Sequence, residues 1–356
     1  MKEKTTLPII ECGGSEYEIG RQYGEQAKDS LQSAVGLMYR SMQLMPYQAG
    51  QEAVSRAGRR YLENVRSFDP EALDRVKGMA EGSGIPFDDV FALQCYSEIF
   101  VNYPGIVGMC TSFAIAGEAV KGGKTILGQN VDWHPDSTID LVRIRRRDGS
   151  RMFCLFLNGY GGFYLSSRGF GNCANLTLCP PAAVSGHIPY AFYQYHAMTR
   201  QGAREAMEVL RRTARGVGYI HVADKEGFMA GIECVYDDYT VLEPKDGVLV
   251  HANHYETEKY KKGDAARVYI PNSFTRAERL RELIAGSHGS LTPEKMMMFL
   301  EDHEGRPNSL CRHVDPAIPA VYATLSRASW VAVPAEGRLF VAAGPPCEYR
   351  YAEYVL

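Results

Sequence analysis

Cys110 begins a segment whose residue types suit covalent chemistry. It opens the run from Cys110 to Ala116, which is rich in residues typical of β-strands. A thiol becomes an effective nucleophile when a neighbouring base takes its proton. If the peptide bond between Met109 and Cys110 were cut, Cys110 would carry a free α-amino group beside its own thiol. One residue would then supply both nucleophile and base.

Asp132 is the second candidate, and its position depends on a predicted β-hairpin. A second strand-like run covers 124–133, and Gly122 and Gly123 between the two runs can adopt the positive φ angles of a tight turn. Such a hairpin brings Cys110 and Asp132 toward the same open end. A carboxylate there could hold an ammonium or amide group. The alternative is that Asp132 is only a turn residue.

Residues 251–254 read His-Ala-Asn-His and follow an apolar run. Alternation in an extended segment puts His251 and Asn253 on one face and His254 on the other. Two histidines on opposite faces, with no third ligand nearby, do not favour a metal site. The amide of Asn253 can instead donate to the oxyanion of a tetrahedral intermediate.

Asn175 and Arg312 are further candidates for the same site, and each is equally compatible with a turn or surface position. The nine cysteines are scattered, odd in number and free of Cys-x-x-Cys pairs. This pattern indicates neither a disulfide framework nor a zinc site. We therefore expect no metal and no cofactor.

The amino-acid composition limits the kinds of partner that the protein is expected to bind. Hydrophobic residues make up 45% of the 356 residues, charged residues 23%, and the net charge is −3. These are ordinary globular values, and they favour neither nucleic acid nor an anionic membrane as a partner. The N-terminus lacks the apolar core of a signal peptide, and no segment has about 18 consecutive apolar residues. We expect a cytoplasmic protein that acts on a small molecule.

The predicted elements change in kind near residue 110. Before it, helical periodicity dominates after a short strand at 8–12, with a capping box at Ser15 and Glu18. Helices are predicted from 15 to 42, at 51–68, 69–81, 86–100, 187–213, 273–285 and 292–301. Strands are predicted at 110–117, 124–133, 140–147, 151–158, 161–168, 170–178, 217–224, 228–236, 247–253, 319–325, 328–334 and 338–343. The segment 103–105 is predicted to be an exposed connection. This order indicates an α+β fold with sheets and helices in separate layers.

With these residues in place, the chain resembles the acyl-CoA:6-aminopenicillanic acid acyltransferase family, the isopenicillin N acyltransferase-like branch (peptidase C45) of the N-terminal nucleophile hydrolases. The resemblance rests on short segments that occur in family order over nearly the whole chain. They are 14–24, 110–112, 128–133 and 251–254, with 309–312 as a fifth.

The resemblance implies a four-layer αββα sandwich and a precursor that cuts itself between Met109 and Cys110. Residues 1–109 would become a helical small chain and 110–356 the catalytic chain, within one integrated domain. The family pattern makes Cys110 the nucleophile, Asp132 a support for its amino end and Asn253 the oxyanion donor. Asn175 falls near a second oxyanion position and Arg312 near an arginine at the edge of the site.

The expected activity is that of an amidohydrolase or acyltransferase that acts on the C–N amide bond of a small N-acyl compound through a thioester. Homo-oligomers of the processed two-chain protein are compatible with this expectation. Two alternatives stay open: an uncut, non-catalytic homologue that binds a small ligand, and a choloylglycine-type amide hydrolase.

Overall fold

The N-terminal third is mostly helical, and strands dominate after residue 109. The computed structural model describes residues 2–3, 6–44, 48–101, 109–179, 186–213, 216, 218–236 and 238–356. The helices are α1 Glu16–Gln26, α2 Lys28–Leu44, α3 Gln51–Arg59, α4 Leu62–Phe68, α5 Pro70–Ser83, α6 Phe87–Gln94, α7 Tyr96–Val101, α8 Tyr190–Met198, α9 Ala203–Arg212, α10 Glu258–Lys261, α11 Ala266–Tyr269, α12 Asn272–Ala285 and α13 Pro293–Leu300. The strands are β1 Ile9–Gly14, β2 Met109–Ile115, β3 Ile126–Trp133, β4 Ile139–Arg146, β5 Arg151–Leu157, β6 Tyr160–Ser166, β7 Phe170–Asn175, β8 Gly218–Asp224, β9 Met229–Val235, β10 Asp238–Leu242, β11 Val248–His251, β12 Leu325–Val333, β13 Arg338–Ala342 and β14 Ala352–Val355.

The strands form two sheets. One sheet has the order β1-β4-β5-β6-β7-β8-β9-β10, and the other has the order β11-β2-β3-β12-β13-β14. Neighbouring strands are antiparallel, except that β1 lies parallel to β4. Because β1 precedes residue 110, the N-terminal segment contributes a strand to the larger sheet.

The two sheets pack face to face, and helices cover their outer faces. Strand β7 of the larger sheet contacts β2 and β3 of the smaller one. Helices α8 and α9 lie on the larger sheet, and α12 and α13 lie on the smaller one. One hydrophobic core joins the N-terminal helices to both sheets, and a second joins the smaller sheet to α12 and α13. The predicted α+β, four-layer αββα arrangement is confirmed.

The predicted hairpin is also confirmed. Strands β2 and β3 are antiparallel, with Cys110 opposite Val131. Gly122 and Gly123 have φ angles of +83° and +73°, which lie in the left-handed region that favours glycine. Side chains of β2 alternate between the two cores: Ala114 faces the other sheet, and Phe113 faces the helices.

Helix α1 begins as its sequence predicts. Ser15 is the N-cap, and its side chain and that of Glu18 form the reciprocal capping box. Gly20 and Gly24 lie where α1 meets α5, because a Cβ on Gly20 would be 2.0 Å from the Arg75 carbonyl oxygen. The two glycines therefore serve close helix packing.

Four predicted helices are each divided into two. The first of them, 15–42, breaks at Ala27. The segment 51–68 breaks at Arg60 and Tyr61, and 86–100 breaks at Cys95. The segment 187–213 ends its first helix at Thr199, whose hydroxyl donates to the His196 carbonyl, and restarts after Gly202 in an extended conformation. Local hydrogen bonding by threonine and the backbone entropy of glycine both oppose a continuous helix.

The C-terminal part differs from the prediction in its strands. The expected strand at 319–325 is wrong, because Pro319 precedes a short 3-10 turn over Ala320–Tyr322. Strand β12 follows it, while β10, β14 and the short helices α10 and α11 were not predicted. No helix within the described ranges combines the length and the apolar character needed to cross a membrane. The expected connection at 103–105 lies outside the described residues.

Candidate active site

Cys110 is the second residue of β2 and is only 5% exposed. By strand alternation its side chain shares the face of Ser112 and Ala114, which meets the larger sheet. Thr111 faces the opposite way, toward helix α12. The thiol therefore lies between the two sheets, while the main chain of Cys110 can be held from the helical side.

The main chain of Cys110 is held on both sides of its Cα. The N–H donates to Oδ1 of Asn253 at 2.9 Å, and the carbonyl oxygen accepts from Nη1 of Arg276 at 2.8 Å. Arg276 also donates to Asn253 Oδ1 at 2.8 Å. Both partners of that atom are donors only, so it must be the amide oxygen. The nitrogen of Asn253 donates to the Leu176 carbonyl at 2.8 Å and retains a second hydrogen.

Asp132 lies on β3 directly opposite Met109, the residue before the proposed cut. It is fully buried, and its Oδ1 accepts from the Ser326 hydroxyl at 2.7 Å. Among the described residues, Oδ2 has no hydrogen-bond partner. Burial raises the pKa of Asp132, and the guanidinium groups of Arg276 and Arg312 oppose this shift. One carboxylate oxygen is thus available beside the bond that cleavage would break.

Arg276 is a site residue that sequence reasoning missed. It lies on α12, is 1% exposed and also donates to the Thr111 hydroxyl at 2.5 Å. Burial lowers its pKa to about 10, while Asp132 opposes the shift, so it remains a cation at neutral pH. One signal was present: Ser273 and Arg276 fall on the same buried helix face as Leu280, and a charged residue on an apolar stripe requires a buried partner.

Arg312 is linked to Asp132 through a shared serine. The backbone N–H of Arg312 donates to Ser326 Oγ at 2.9 Å, and that hydroxyl donates to Asp132. The guanidinium Nε donates to the Thr324 hydroxyl at 2.7 Å, while Nη1 has no partner among the described residues. Arg312 is 2% exposed, so it is not a surface residue. Burial lowers its pKa, and Asp132 opposes that shift.

Asn175 ends β7, in the sheet that faces Cys110. Its Oδ1 accepts from the Ser112 hydroxyl at 2.6 Å. Within the described part of the chain its Nδ2 has no hydrogen-bond partner, although the residue is buried. A buried amide donor without a partner is costly unless a ligand satisfies it. Asn175 and Cys110 line the same cavity, so this donor lies where a substrate oxygen could bind.

The cavity is mainly apolar. Its lining consists of Ser97, Cys110, Trp133, Leu157, Tyr160, Gly161, Phe163, Ala174, Asn175, Leu176, Tyr190 and Gly218. Its volume is about 60 Å³, well below the roughly 300–1,000 Å³ of small-molecule sites. Aromatic and aliphatic walls with a few polar groups suit the acyl part of a substrate. A substrate of ordinary size requires a larger cavity than the uncut chain provides.

The thiol of Cys110 is not activated in the uncut chain. Burial raises its pKa to about 12, and the Asp132 carboxylate acts in the same direction. Arg276 and hydrogen bonds from the Asp132 backbone and the Gln129 side chain oppose the shift. At neutral pH the thiol is therefore protonated, and it needs a base to react.

His251 and His254 do not share a ligand site. Nε2 of His251 contacts Glu233 at 3.0 Å, and its Nδ1 contacts the Ala252 carbonyl at 2.7 Å. Nδ1 of His254 contacts the Ser273 hydroxyl at 2.8 Å, and its Nε2 contacts Glu256 at 3.1 Å. All four ring nitrogens thus have protein partners.

Part of the chain matches the model of a known protein family, and the fold is similar to solved structures of low sequence identity. Residues 183–333 match the family described as acyl-coenzyme A:6-aminopenicillanic acid acyl-transferase. This range contains Asn253 and Arg312 and begins after Cys110, Asp132 and Asn175. No curated protein matches the chain.

The solved structures that are similar at low identity include the following two. A variant of the conjugated bile acid hydrolase from Clostridium perfringens is 10% identical, with 69% of this chain and 97% of that chain covered and a TM-score of 0.45. The penicillin V acylase from Agrobacterium tumefaciens is 14% identical, with 66% and 83% covered and a TM-score of 0.44. Similarity at this level assigns no residue roles. The family match agrees with the resemblance over one part of the chain: residues 183–333, which include the segments 251–254 and 309–312, are similar to the acyl-coenzyme A:6-aminopenicillanic acid acyl-transferase family.

Proposed function

We propose that the chain cuts itself between Met109 and Cys110 and then acts as an N-terminal cysteine amidohydrolase or acyltransferase. Its substrate is the C–N amide bond of a small N-acyl compound. The family match supports the general class, amide hydrolysis or acyl transfer. The observation that carries the finer proposal is the arrangement at Cys110. Its nitrogen is bound by Asn253, and its side chain lines a cavity with the unpartnered amide of Asn175.

Self-cleavage begins as an N-to-S acyl shift. The sulfur of Cys110 bonds to the carbonyl carbon of Met109, the peptide C–N bond breaks, and the thiol proton ends on the freed nitrogen. Water then attacks the thioester, which restores the thiol and leaves Met109 with a carboxyl group. Arg276 and Asn253 support this step because they fix the main chain of Cys110 on both sides of the reacting sulfur.

The freed amine changes the chemistry of the thiol. An unperturbed α-amino group has a pKa of about 7.7–8.0, so it can take the thiol proton near neutral pH and later donate it to the leaving amine. Asn253 Oδ1 already accepts from this nitrogen, and Asp132 lies one register position away with one carboxylate oxygen that no described residue binds. These two groups would hold the new amino terminus beside the thiol.

The oxyanion of the tetrahedral intermediate needs donors that are already in place. The Nδ2 group of Asn175 is buried without a partner among the described residues, and Asn253 Nδ2 retains one hydrogen beyond its bond to Leu176. A single preorganised donor of this kind is worth roughly 3–4 kcal/mol in the transition state. Water resolves the thioester in hydrolysis, and an acceptor amine resolves it in acyl transfer.

The lining of the cavity favours an apolar acyl group. Trp133, Tyr160, Phe163 and Tyr190 supply aromatic surface next to Cys110. We therefore propose that the acyl part is aromatic or aliphatic and that the polar amine part lies outside the cavity.

The intact mass of the purified protein under denaturing conditions tests this function. Wild type should give two fragments that meet between Met109 and Cys110, and Cys110→Ala should stay a single chain with no amide turnover. Cys154→Ala is the matched control, because Cys154 is another fully buried cysteine on a strand and lies outside the site. The control should be processed like wild type.

Two outcomes would contradict the proposal. One is cleavage or amide turnover by Cys110→Ala at the wild-type level. The other is a wild type that remains a single chain under all conditions and turns over no N-acyl amide, which would favour an uncut protein that binds a small ligand in the same cavity.

A further inference from the structure

Four metal-ligating side chains converge outside the candidate active site. They are His303, Cys311, His313 and Cys347, and their ligand atoms all lie within 4.8 Å of one another. Cys311 is buried, His303 is exposed, and the other two are partly buried. The set of two thiols and two imidazoles is a donor set that zinc prefers in structural sites.

The distances within this cluster correspond to the edges of a zinc tetrahedron. Zinc bond lengths of about 2.3 Å to sulfur and 2.0–2.1 Å to nitrogen give edges of about 3.8 Å for S–S, 3.6 Å for S–N and 3.3 Å for N–N. The observed Cys311–Cys347 sulfur separation is 3.4 Å, and the two His303 and His313 Nε2 atoms are 3.1 Å apart. Nε2 of His313 lies 3.6 Å and 3.4 Å from the two sulfurs.

Neighbouring groups restrain the ligands of this cluster. Nδ1 of His313 faces a carboxylate oxygen of Glu348 at 3.4 Å, and a carboxylate on the second ring nitrogen commonly orients a zinc-bound imidazole. The N–H of Cys311 donates to the Asp302 carbonyl, and that of His313 donates to the Pro307 carbonyl. The ligands therefore project from a backbone that is already fixed.

Charge also favours a divalent cation. When both thiols are deprotonated they bring two negative charges, which a zinc ion neutralises while two protons are released. Without a metal, two thiols and two imidazoles would have only weak mutual hydrogen bonds at this spacing. The scattered cysteines gave no indication of this cluster, because Cys347 lies far along the chain from His303, Cys311 and His313.

We propose that His303, Cys311, His313 and Cys347 bind one zinc ion in a structural, tetrahedral site. Arg312 lies between the ligands Cys311 and His313 in the sequence. Its backbone N–H donates to the Ser326 hydroxyl, which in turn donates to Asp132. The metal would join this segment to residue 347 near the C-terminus and so hold Arg312 in place. The proposal rests on the cluster and does not depend on the self-cleavage proposed for Cys110.

The test is the metal content of the full chain, purified with a phosphine reductant and without added metal. Elemental analysis by mass spectrometry should find one zinc ion per chain in wild type. His303→Ala and Cys347→Ser should lose most of it on dialysis against a mild chelator. The His303 variant should fold, because this side chain is exposed. His288→Ala, another exposed histidine, is the matched control and should retain the zinc.

Cobalt provides a second readout on the same preparations. Zinc-depleted wild type should bind cobalt with the absorption bands of thiolate-to-cobalt charge transfer, and Cys347→Ser should show weaker bands. Three results would overturn the proposal: wild type that takes up neither metal, variants that retain zinc as wild type does, or peptide mapping of protein purified without reductant that finds Cys311 and Cys347 joined in a disulfide.

Discussion

The backbone N–H of Cys110 donates to the side-chain oxygen of Asn253 over 2.9 Å. The same oxygen accepts from Arg276, whereas the amide nitrogen donates to the Leu176 carbonyl. The oxygen and the nitrogen of the Asn253 side chain therefore have different roles. The oxygen holds the residue that carries the thiol, and the nitrogen is the proposed oxyanion donor.

The substitution Asn253→Asp separates these two tasks. The carboxylate still offers an oxygen to Cys110 and Arg276, but it no longer has an N–H donor. We expect amide turnover to fall by about 10²–10³-fold, the usual loss for one oxyanion donor. The measurement is kcat on the best substrate from a screen of N-acyl amides. Asn308→Asp, which lies outside the site, should leave kcat near the wild-type value, and an unchanged kcat in Asn253→Asp would refute the donor role.

Arg276 should matter for stability as well as for activity. Its guanidinium donates to Cys110, Thr111 and Asn253 in the interior. Arg276→Met would remove one donor from each of these acceptors, leave the Asn253 oxygen only the Cys110 N–H, and remove a cation that faces Asp132. Breaking a buried charged network typically costs about 3–5 kcal/mol. We expect a loss of this order in the free energy of unfolding, measured by urea denaturation.

A control substitution on the same helix shows whether the loss of stability comes from the buried contacts of Arg276 or from any arginine-to-methionine change on α12. Arg279 is 27% exposed and pairs with Asp302 near the surface. Because exposed ion pairs contribute about 0–1 kcal/mol, Arg279→Met should change the unfolding free energy little. Equal losses in the two variants would show that the buried contacts of Arg276 are not what stabilises the fold.

Sequence patterns predicted the β2–β3 hairpin, but they did not predict contacts between residues that are far apart in sequence. The strand runs and the Gly122-Gly123 turn define β2 and β3, so the register of Cys110 with β3 followed from residues close in sequence. Arg276 lies 166 residues from the carbonyl it binds. Only the packing of α12 on β2 brings the two together, and no periodicity within either segment encodes that packing.

The errors in element boundaries also have physical causes. Apolar residues recur at helical spacing through 187–213, and that pattern does not reveal that Gly202 adopts an extended conformation between α8 and α9. The cluster of His303, Cys311, His313 and Cys347 was missed for a related reason. Three of its ligands lie in the irregular segment 303–313, and only the tertiary fold brings the fourth, Cys347, close to them.

The packing of α1 on α5 provides a stability test with a matched control. A Cβ at Gly20 would lie 2.0 Å from the Arg75 carbonyl oxygen, which is backbone and cannot move freely. Gly20→Ala should therefore destabilise the fold by roughly 1–3 kcal/mol. Gly36 is also helical, but its Cβ would meet only the flexible tip of Arg40 at 3.4 Å. Gly36→Ala should stabilise the fold by about 0.5–1 kcal/mol through helix propensity, and a loss in that variant would contradict the packing argument.

Glu98 should make stability depend on pH. Its Oε1 accepts from the Tyr190 N–H at 2.7 Å, and burial raises its pKa from 4.5 to about 8. Between these values the native state holds a proton that the unfolded chain has released. The contribution of Glu98 to stability is thus fully present below about pH 4.5 and is lost as pH rises to about 8. Each unit of pKa difference corresponds to about 1.4 kcal/mol, and we expect the full loss to be smaller than the shift implies because the side chain is only partly buried.

The slope of unfolding free energy against pH measures this contribution. Urea denaturation of wild type from pH 5 to pH 8 should show a decline that is shallower in Glu98→Gln, because the amide cannot ionise. Glu71→Gln removes an exposed carboxylate on α5 and should retain the wild-type slope. Equal slopes in wild type and Glu98→Gln would show that this carboxyl group titrates as it does in the unfolded chain.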